Sequence, residues 1–383
     1  MKQRFTAVSL FAGLLMLLLA CTAIAQDAKS ADTLPAHPRY ARLLHHLSNK
    51  VGPPVTPLTT WNGSFTYSSH TYNYNMVGTA PSTGTATTIK TFLVPIALQF
   101  KSGGQTLTFS PETKLSNGQT AVQNTAASPI FEPMDWTSPD GTDFGKTQYE
   151  DAFQRGNFWG TVSSNKGYHI ILGKPTIAPV FTIAVPAADG SVGNEFGVQV
   201  GLADINWFDS QIEALMTKYS SIVTPTTFPI FITYDVYLTE GGECCIGGYH
   251  SSFGSLAAPQ AYSHFTYIGT PGVFAQDVSA LSHEAGEYID DPLVVNTEGN
   301  VIPIQCARIN GSDILEVGDP EEGFNEDGAM YGAFPYTFSG FTYHLQDLVY
   351  LPYFGAPSTT SADGGTMTFR DNPFGLTFCS AGG

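Results

Sequence analysis

The sequence predicts an α+β protein: a β-rich N-terminal part followed by a part with a mixed sheet and a helix rich in carboxylates. Composition is the first reason, because only 13% of the residues are charged and the chain contains 39 Gly and 25 Pro. Few charges and many turn-forming residues are typical of loop-rich sheet proteins rather than of helical bundles. The second reason is the order of patterns, since strand-like segments precede the acidic helix.

The first 25 residues predict an export signal that is not part of the fold. A basic start, "MKQR", precedes the apolar run "AVSLFAGLLMLLLA", and "AIA" before Gln26 is an A-x-A cleavage site. The run is too short for a membrane span. In an alternative interpretation, "LLAC" is a lipobox and the mature protein carries a lipid anchor at Cys21. Both interpretations predict a secreted or periplasmic protein without a membrane span.

The overall charge narrows the classes of partner. A net charge of −17 argues against nucleic acid, because phosphate groups would be repelled. Hydrophobic residues make up 42% of the chain, which argues against a largely disordered protein.

Four cysteines follow the predicted signal: Cys244, Cys245, Cys306 and Cys379. An even number of cysteines in an exported chain predicts two disulfides. Adjacent cysteines rarely pair with each other, because disulfide geometry is hard to reach across one peptide bond. We therefore expect Cys244 and Cys245 to pair separately with Cys306 and Cys379. A zinc site made of cysteines is the weaker alternative, since no C-x-x-C spacing occurs.

The remaining patterns divide the mature chain into an N-terminal arm (26–60), a β-rich region (61–200) and a metal-binding region (201–383). Helical spacing occurs at 147–159 and at 204–220, where Asp204 is a candidate N-cap. The strand-like segments are "SFTYSSHTYNYNMVG", "TTIKTFLVPIALQF", "GYHIILG", "FPIFITYDVYL" and "AYSHFTYIG". There is no internal repeat.

The segment "LSHEAGEYIDDP" (281–292) carries the chemistry that the sequence indicates most strongly. A helix that begins near Pro271 and ends before Pro292 places His283 and Glu287 at i and i+4, on one face. That spacing lets both side chains bind one ion. Glu284 lies beside His283, so the pattern is H-E-x-x-H with Glu in place of the second His.

The charge around this segment also indicates a cation. Between Lys218 and Arg308 there is no Lys or Arg, so the carboxylates of this segment have no basic partner nearby in the sequence. These carboxylates are Glu284, Glu287, Asp290 and Asp291. Carboxylates near a helix C-terminus are unfavourable by roughly 0.3–1 kcal/mol each. A bound divalent cation would supply the opposite charge, whereas the alternative is a solvated acidic helix end.

A metal site needs a third protein ligand. Glu316 in "LEVGDP" is the first candidate, followed by Asp290 and Asp319. His250 and His344 are further candidates, and for each of them a polar turn residue is the equally weighted interpretation.

The H-E-x-x-E pattern after a strand resembles the zincin metallopeptidases, and in particular the gluzincins, in which a downstream Glu completes the site. The resemblance implies a zinc ion held by His283, Glu287 and Glu316, and a peptide or protein substrate. Glu284 would then accept a proton from the metal-bound water. "CCIGGYHSSFG", "LSHEAGEYIDDP" and "LEVGDP" also resemble an uncharacterised family of exported proteins.

Two other functions fit parts of the sequence. One is a non-catalytic exported binding or surface protein in which "DPEEGFNEDG" (319–328) holds structural calcium. The other is a glycoside hydrolase that pairs Glu284 with Glu316, with a sugar cleft lined by Trp136, Trp159 and Trp207.

Overall fold

The computed structural model describes parts of the chain between residues 39 and 378. The described ranges are 39–42, 55–67, 69–255, 257–294, 307–309, 312–313, 315–321, 332–351, 354–356, 366–370, 373–374 and 376–378. All of them belong to one unit, residues 36–383. The predicted signal peptide (1–25), Cys21, Cys306 and Cys379 lie outside the described residues.

Strands outnumber helices among the described residues. The strands before residue 205 are β1 (Arg39–Arg42), β2 (Thr60–Tyr67), β3 (His70–Val77), β4 (Ala86–Ser102), β5 (Gln105–Phe109), β6 (Met134–Thr137), β7 (Asp143–Thr147), β8 (His169–Leu172), β9 (Thr176–Ile177), β10 (Phe181–Ala184), β11 (Gly190–Glu195) and β12 (Val198–Asp204). The later strands are β13 (Thr227–Tyr234), β14 (Val236–Glu240), β15 (Glu243–Ser255), β16 (Ala258–Tyr267), β17 (Ala307–Ile309), β18 (Ser312–Asp313), β19 (Ala333–Phe338), β20 (Phe341–Gln346), β21 (Thr366–Met367), β22 (Pro373–Phe374) and β23 (Leu376–Phe378).

The described helices are α1 (Ala121–Ala126), α2 (Tyr149–Asn157), α3 (Trp159–Val162), α4 (Ile205–Lys218) and α5 (Ser279–Asp290). Short 3-10 turns occur at Pro81–Thr83 and Asp319–Glu321. Among the described residues, no helix is both long enough and apolar enough to span a bilayer. The predicted α+β class is confirmed.

A 12-stranded mixed sheet dominates the described residues. Its central order is β10-β4-β13-β16-β15-β14-β12-β11; β5, β8 and β9 also pair with β4, and β1 pairs with β15. β4 runs parallel to β10 and β13, and β13 runs parallel to β16, whereas β15 is antiparallel to β16. β12 contains residue 200, so the predicted β-rich and metal-binding regions share this sheet.

The sheet is covered on both faces. Alternate residues of β4 enter different apolar cores: Ile89 and Leu93 lie in the core that also contains α5. Phe92 lies in the other core. That core includes the apolar face of α4, made of Ile205, Phe208, Ile212 and Leu215. Because successive strand residues point to opposite faces, α4 and α5 pack on opposite sides of the sheet.

The helix at 204–220 is confirmed with its predicted N-cap. Asp204 Oδ1 accepts hydrogen bonds from the N–H groups of Asn206 and Trp207, both at 3.0 Å. These contacts satisfy main-chain donors at the start of α4, which have no partner within the helix. The helix predicted at 147–159 is also present, as α2 (Tyr149–Asn157).

The acidic helix α5 ends before Pro292 as predicted, but it begins at Ser279 and not near Pro271. Ala275 (φ 59°) and Asp277 (φ 42°) adopt left-handed backbone conformations. A right-handed helix cannot pass through residues with that backbone geometry. The segment before Ser279 is therefore a loop.

The pairing predicted for the cysteines is wrong for Cys244 and Cys245, which form a disulfide with each other. The peptide bond between them is cis and their Cα atoms are 3.0 Å apart. The expectation of separate partners assumes a trans peptide bond, with Cα atoms about 3.8 Å apart. Glu195 lies beside the two sulfurs, but a disulfide offers no thiolate to a metal ion.

Candidate metal centre

α5 is buried along its whole length, although it carries a histidine and three carboxylates. It packs against β15, β16, β20 and α2. His283, Glu284 and Glu287 are at most 2% exposed. Because residues four apart project from the same side of a helix, His283 and Glu287 lie next to each other on one face of α5.

His283, Glu287 and Asp319 form the first of two residue groups that can hold a metal ion, here called the His283 group. His283 Nε2 lies 3.1 Å from Glu287 Oε1 and 3.4 Å from Asp319 Oδ1. One ligand atom from each residue lies within 4.8 Å of the others. The Asp319 side chain is 25% exposed, so the His283 group reaches solvent at this residue.

The segment 315–321 holds this group in place through its main chain. The N–H groups of Gly318 and Asp319 donate to Glu287 Oε1, at 3.1 and 3.3 Å. A Cβ atom on residue 318 would lie 2.3 Å from His283 Nδ1. No side-chain atom can approach a ring nitrogen that closely, so this position requires glycine.

His250, Glu287 and Glu316 form the second group, here called the His250 group, and all three residues are buried. His250 Nδ1 lies 3.5 Å from Glu287 Oε2, and His250 Nε2 lies 3.0 Å from the carbonyl oxygen of Asp291. A carbonyl oxygen only accepts hydrogen bonds, so Nε2 carries a proton. In the neutral ring, Nδ1 then presents its lone pair to Glu287, and this is the form of histidine that binds metal ions.

Glu284 lies against β15, beside His250. Its Oε2 is 3.1 Å from His250 Nδ1. A Cβ atom on residue 248 would lie 2.9 Å from Glu284 Oε1, so the glycine in β15 makes room for this carboxyl group. Among the described residues, Oε1 has no hydrogen-bond partner. Glu284 thus has one oxygen facing a histidine and one oxygen available to a ligand or to water.

The buried carboxyl groups lack basic partners. Burial raises the pKa of Glu284 and of Glu287 well above the ordinary range. The negative charges of Glu316 and Asp319 raise the pKa of Glu287 further, whereas His283 opposes the effect of burial on the pKa of Glu284. Within the described ranges, neither Glu284 nor Glu287 forms an ion pair with Lys or Arg. The charge and the donor atoms of the site therefore fit a divalent cation.

The N-terminal strand β1 forms part of the wall of the site. β1 runs parallel to β15 and pairs with it. The Tyr40 ring lies against the His283 ring, with centroids 3.8 Å apart, and Tyr40 is only 6% exposed. Arg39 anchors the strand through an ion pair with Glu240 at 2.5 Å. Tyr40 thus covers one face of a candidate metal ligand.

Two of the further ligand candidates lie away from both groups. Asp290 Oδ1 accepts a hydrogen bond from Gln154 Nε2 at 2.9 Å, on the side of α5 that meets α2. His344 Nδ1 lies 2.6 Å from Asp277 Oδ2. This second pair lines a cleft of about 780 Å³ whose lining contains no residue of the two groups.

The other predicted ligands lie around Glu287 in the two groups described above: His283 and Asp319 in one, His250 and Glu316 in the other. The combination of His283 with Glu316, which the resemblance to gluzincins implies, does not occur within one group. Sequence reasoning also missed the roles of Gly318 and Tyr40. A glycine inside "LEVGDP", between two candidate ligands, is the only sequence signal that points to either role.

The tryptophans proposed for a sugar cleft are dispersed. Trp136 is 2% exposed, and its Nε1–H donates to the carbonyl oxygen of Thr147. Trp159 packs against the core that contains α5. Trp207 lies on α4, on the opposite side of the sheet. This placement gives no support to a cleft shared with Glu284.

Comparison with known proteins found no match for this chain. No protein family, no curated protein and no solved structure was similar to it. The resemblance to zincins therefore depends on the motif and on the surroundings of α5 alone.

Proposed function

We propose that the chain is an exported zinc-dependent hydrolase, most simply a peptidase acting on peptide or protein substrates. One observation carries the proposal: Glu284 lies next to buried His283 and Glu287 on a helix whose carboxylates lack Lys or Arg partners among the described residues. Export is inferred from the N-terminal sequence alone.

The donor atoms support zinc rather than calcium. Zinc is bound by imidazole nitrogen and carboxylate oxygen, whereas calcium takes about six to eight oxygen ligands. Both groups contain a histidine, which suits zinc. Of the calcium-type segment 319–328, only the residues up to Glu321 lie in the described part of the chain.

Glu284 is the proposed general base. His283, Glu287 and Asp319 would hold the zinc ion, which would lower the pKa of a water molecule bound to it. Glu284 Oε1, without a hydrogen-bond partner among the described residues, is available to accept a proton from that water. Glu284 would then pass this proton to the leaving amine, acting first as general base and then as general acid.

His250 is the proposed positioning residue for Glu284. The Asp291 carbonyl orients the imidazole through Nε2, and Nδ1 faces Glu284 Oε2 at 3.1 Å. The second oxygen, Oε1, makes no hydrogen bond among the described residues. The two oxygens of Glu284 therefore have different tasks.

The test is a comparison of Glu284→Gln with the purified wild-type protein, using casein as a general protein substrate. We expect the variant to lose hydrolysis by about 10²–10⁴-fold, the usual contribution of a general base. Its zinc content, measured by elemental analysis, should equal that of the wild type. Glu243→Gln, at an exposed position of β15, is the matched control and should keep full activity.

Wild-type activity in Glu284→Gln would exclude this residue as the base. Calcium in place of zinc, together with no hydrolysis by the wild type, would instead support a non-catalytic binding protein.

A further inference from the structure

We infer that the His283 group and the His250 group together form a centre for two divalent cations, with Glu287 as the bridging carboxylate. The inference rests on the proposed function, because the first cation is the proposed zinc ion of the His283 group. It adds a second metal site, made of His250, Glu316 and the other oxygen of Glu287.

Glu287 belongs to both groups, and its two oxygens face different histidines. Oε1 lies 3.1 Å from His283 Nε2, and Oε2 lies 3.5 Å from His250 Nδ1. The N–H groups of Gly318 and Asp319 fix this orientation by donating to Oε1. In two-metal sites the ions lie about 3.5–4 Å apart, and a carboxylate with one oxygen towards each ion suits that separation.

The two histidines fall in different groups of candidate ligand atoms. His250 is grouped with Glu287 and Glu316, whereas His283 is grouped with Glu287 and Asp319. We therefore assign one imidazole to each of the two metal positions.

His250 is oriented as a ligand by a contact outside the site. Its Nε2–H donates to the Asp291 carbonyl, so the lone pair on Nδ1 faces the oxygens of Glu284 and Glu287. A lone pair that faces carboxylate oxygens requires a positive charge between them. A second dication bound by Nδ1 would supply that charge.

The charge of the site exceeds that of one dication. Even without Glu316, the carboxylates of Glu284, Glu287 and Asp319 carry three negative charges when ionised. Their ion pairs within the described residues are with histidines only. With Glu316 ionised as well, the four carboxylates match the charge of two dications, and a buried site requires such a balance.

Metal stoichiometry tests the inference without reference to activity. The metal-free wild-type protein is saturated with zinc, desalted and analysed for zinc per chain. We expect two ions in the wild type and one in each of His250→Ala and His283→Ala. His169→Ala is the matched control, because His169 pairs with Asp151 outside the site. This variant should still bind two zinc ions per chain.

Loading with Mn²⁺ tests the bridge. Two Mn²⁺ ions that share a carboxylate couple magnetically, so the wild type should lack the six-line electron paramagnetic resonance signal of an isolated ion. Each single-histidine variant should restore that signal.

One zinc ion in the saturated wild type would overturn the inference and leave the proposed hydrolase intact. No bound zinc would overturn both. Two ions with an uncoupled Mn²⁺ signal would also overturn it, because Glu287 would then not be a bridge. These outcomes depend on the wild-type protein alone, so a variant that fails to fold does not change the interpretation.

Discussion

Glu287 occupies the position at which the zincin motif has its second histidine, and this exchange has chemical consequences. A neutral imidazole offers one nitrogen to one ion, whereas a carboxylate offers two oxygens. Here these oxygens face His283 and His250. A carboxylate ligand also leaves zinc less electrophilic than an imidazole does, so we expect weaker activation of water than in an H-E-x-x-H enzyme.

Substitution of Gly318 tests whether the position of His283 matters for metal binding. A methyl group there would lie 2.3 Å from His283 Nδ1 and would push the ring away from Glu287. We expect Gly318→Ala to weaken zinc binding about 10–100-fold, as other substitutions next to metal ligands do. Competition with a chromophoric chelator measures the affinity.

The control for this substitution is Gly160→Ala, because a Cβ atom there meets no atom closer than 3.4 Å. Its zinc affinity should match that of the wild type. Unchanged affinity in Gly318→Ala would contradict the proposed position of His283.

Asp290 predicts a pH dependence of stability. Burial raises its pKa from 3.8 to about 8. Between these pH values the folded protein keeps a proton that the unfolded chain has lost, so the free energy of unfolding decreases as the pH rises. The Asp290→Asn variant has no carboxyl group to titrate, so it lacks this decrease in the free energy of unfolding. Its amide oxygen can still accept the hydrogen bond from Gln154. Relative to the wild type, the variant should gain about 2.6 kcal/mol between pH 5 and pH 7.

Urea unfolding at the two pH values measures this difference. Glu112→Gln, which removes a carboxylate from an exposed position, should show no comparable gain. If the free energy of unfolding changed equally with pH in the wild type and in Asp290→Asn, Asp290 would be ionised in the folded protein.

At the scale of elements, the site depends on three segments that meet at α5. α5 supplies His283, Glu284 and Glu287; β15 supplies His250; and the segment 315–321 supplies Glu316 and Asp319. Helical spacing predicts the first set because residues four apart share a face. Spacing within one element says nothing about which strand or loop faces that helix, so His250 was only one of several candidates.

The strand β1 adds a cover to these segments, and Tyr40 carries the contact. We expect Tyr40→Ala to lower the free energy of unfolding by about 3 kcal/mol, the lower end of the range for removing a buried aromatic ring. It should also speed the release of zinc to a chelator, because one face of His283 becomes accessible. Urea unfolding and stopped-flow release measure the two effects.

Two further variants separate these effects. Tyr40→Phe keeps the ring and should release zinc at the wild-type rate. Phe92→Ala removes a buried ring from the core on the opposite side of the sheet, so it should lower stability without faster release. Equal release rates in Tyr40→Ala and the wild type would argue against β1 as a cover.

At the scale of the whole molecule, metal binding should be coupled to folding. Most of the ligand candidates are buried and their positions depend on contacts between distant parts of the chain, so the unfolded chain offers no comparable site. Free zinc at 100 times its Kd should therefore stabilise the protein by about 2.7 kcal/mol. Chelation should lower Tm correspondingly, as measured by calorimetry.

Glu287→Gln is the control for this linkage, because it alters the residue common to both groups. Its Tm should respond little to chelation. A wild-type Tm that is equal with and without chelator would mean that the folded protein holds no metal ion.

The cysteines and the loop before α5 mark the limit of what local patterns predict in this fold. Strand and helix positions such as β4, β13 and α4 follow from side-chain periodicity and capping, which are local properties. The Cys244–Cys245 disulfide and the left-handed residues Ala275 and Asp277 depend on backbone conformations that composition and spacing do not reveal.

Local patterns in the chain were enough to predict the α+β class, the helix that carries His283, Glu284 and Glu287, and the shortage of positive charge around that helix. These follow from periodicity and from a stretch of chain without Lys or Arg. Packing in three dimensions was needed to show that Glu287 faces a second histidine on β15, that Asp290 faces α2, and that Tyr40 covers His283. Contacts between residues far apart in sequence depend on how the elements pack, and no local spacing contains that information.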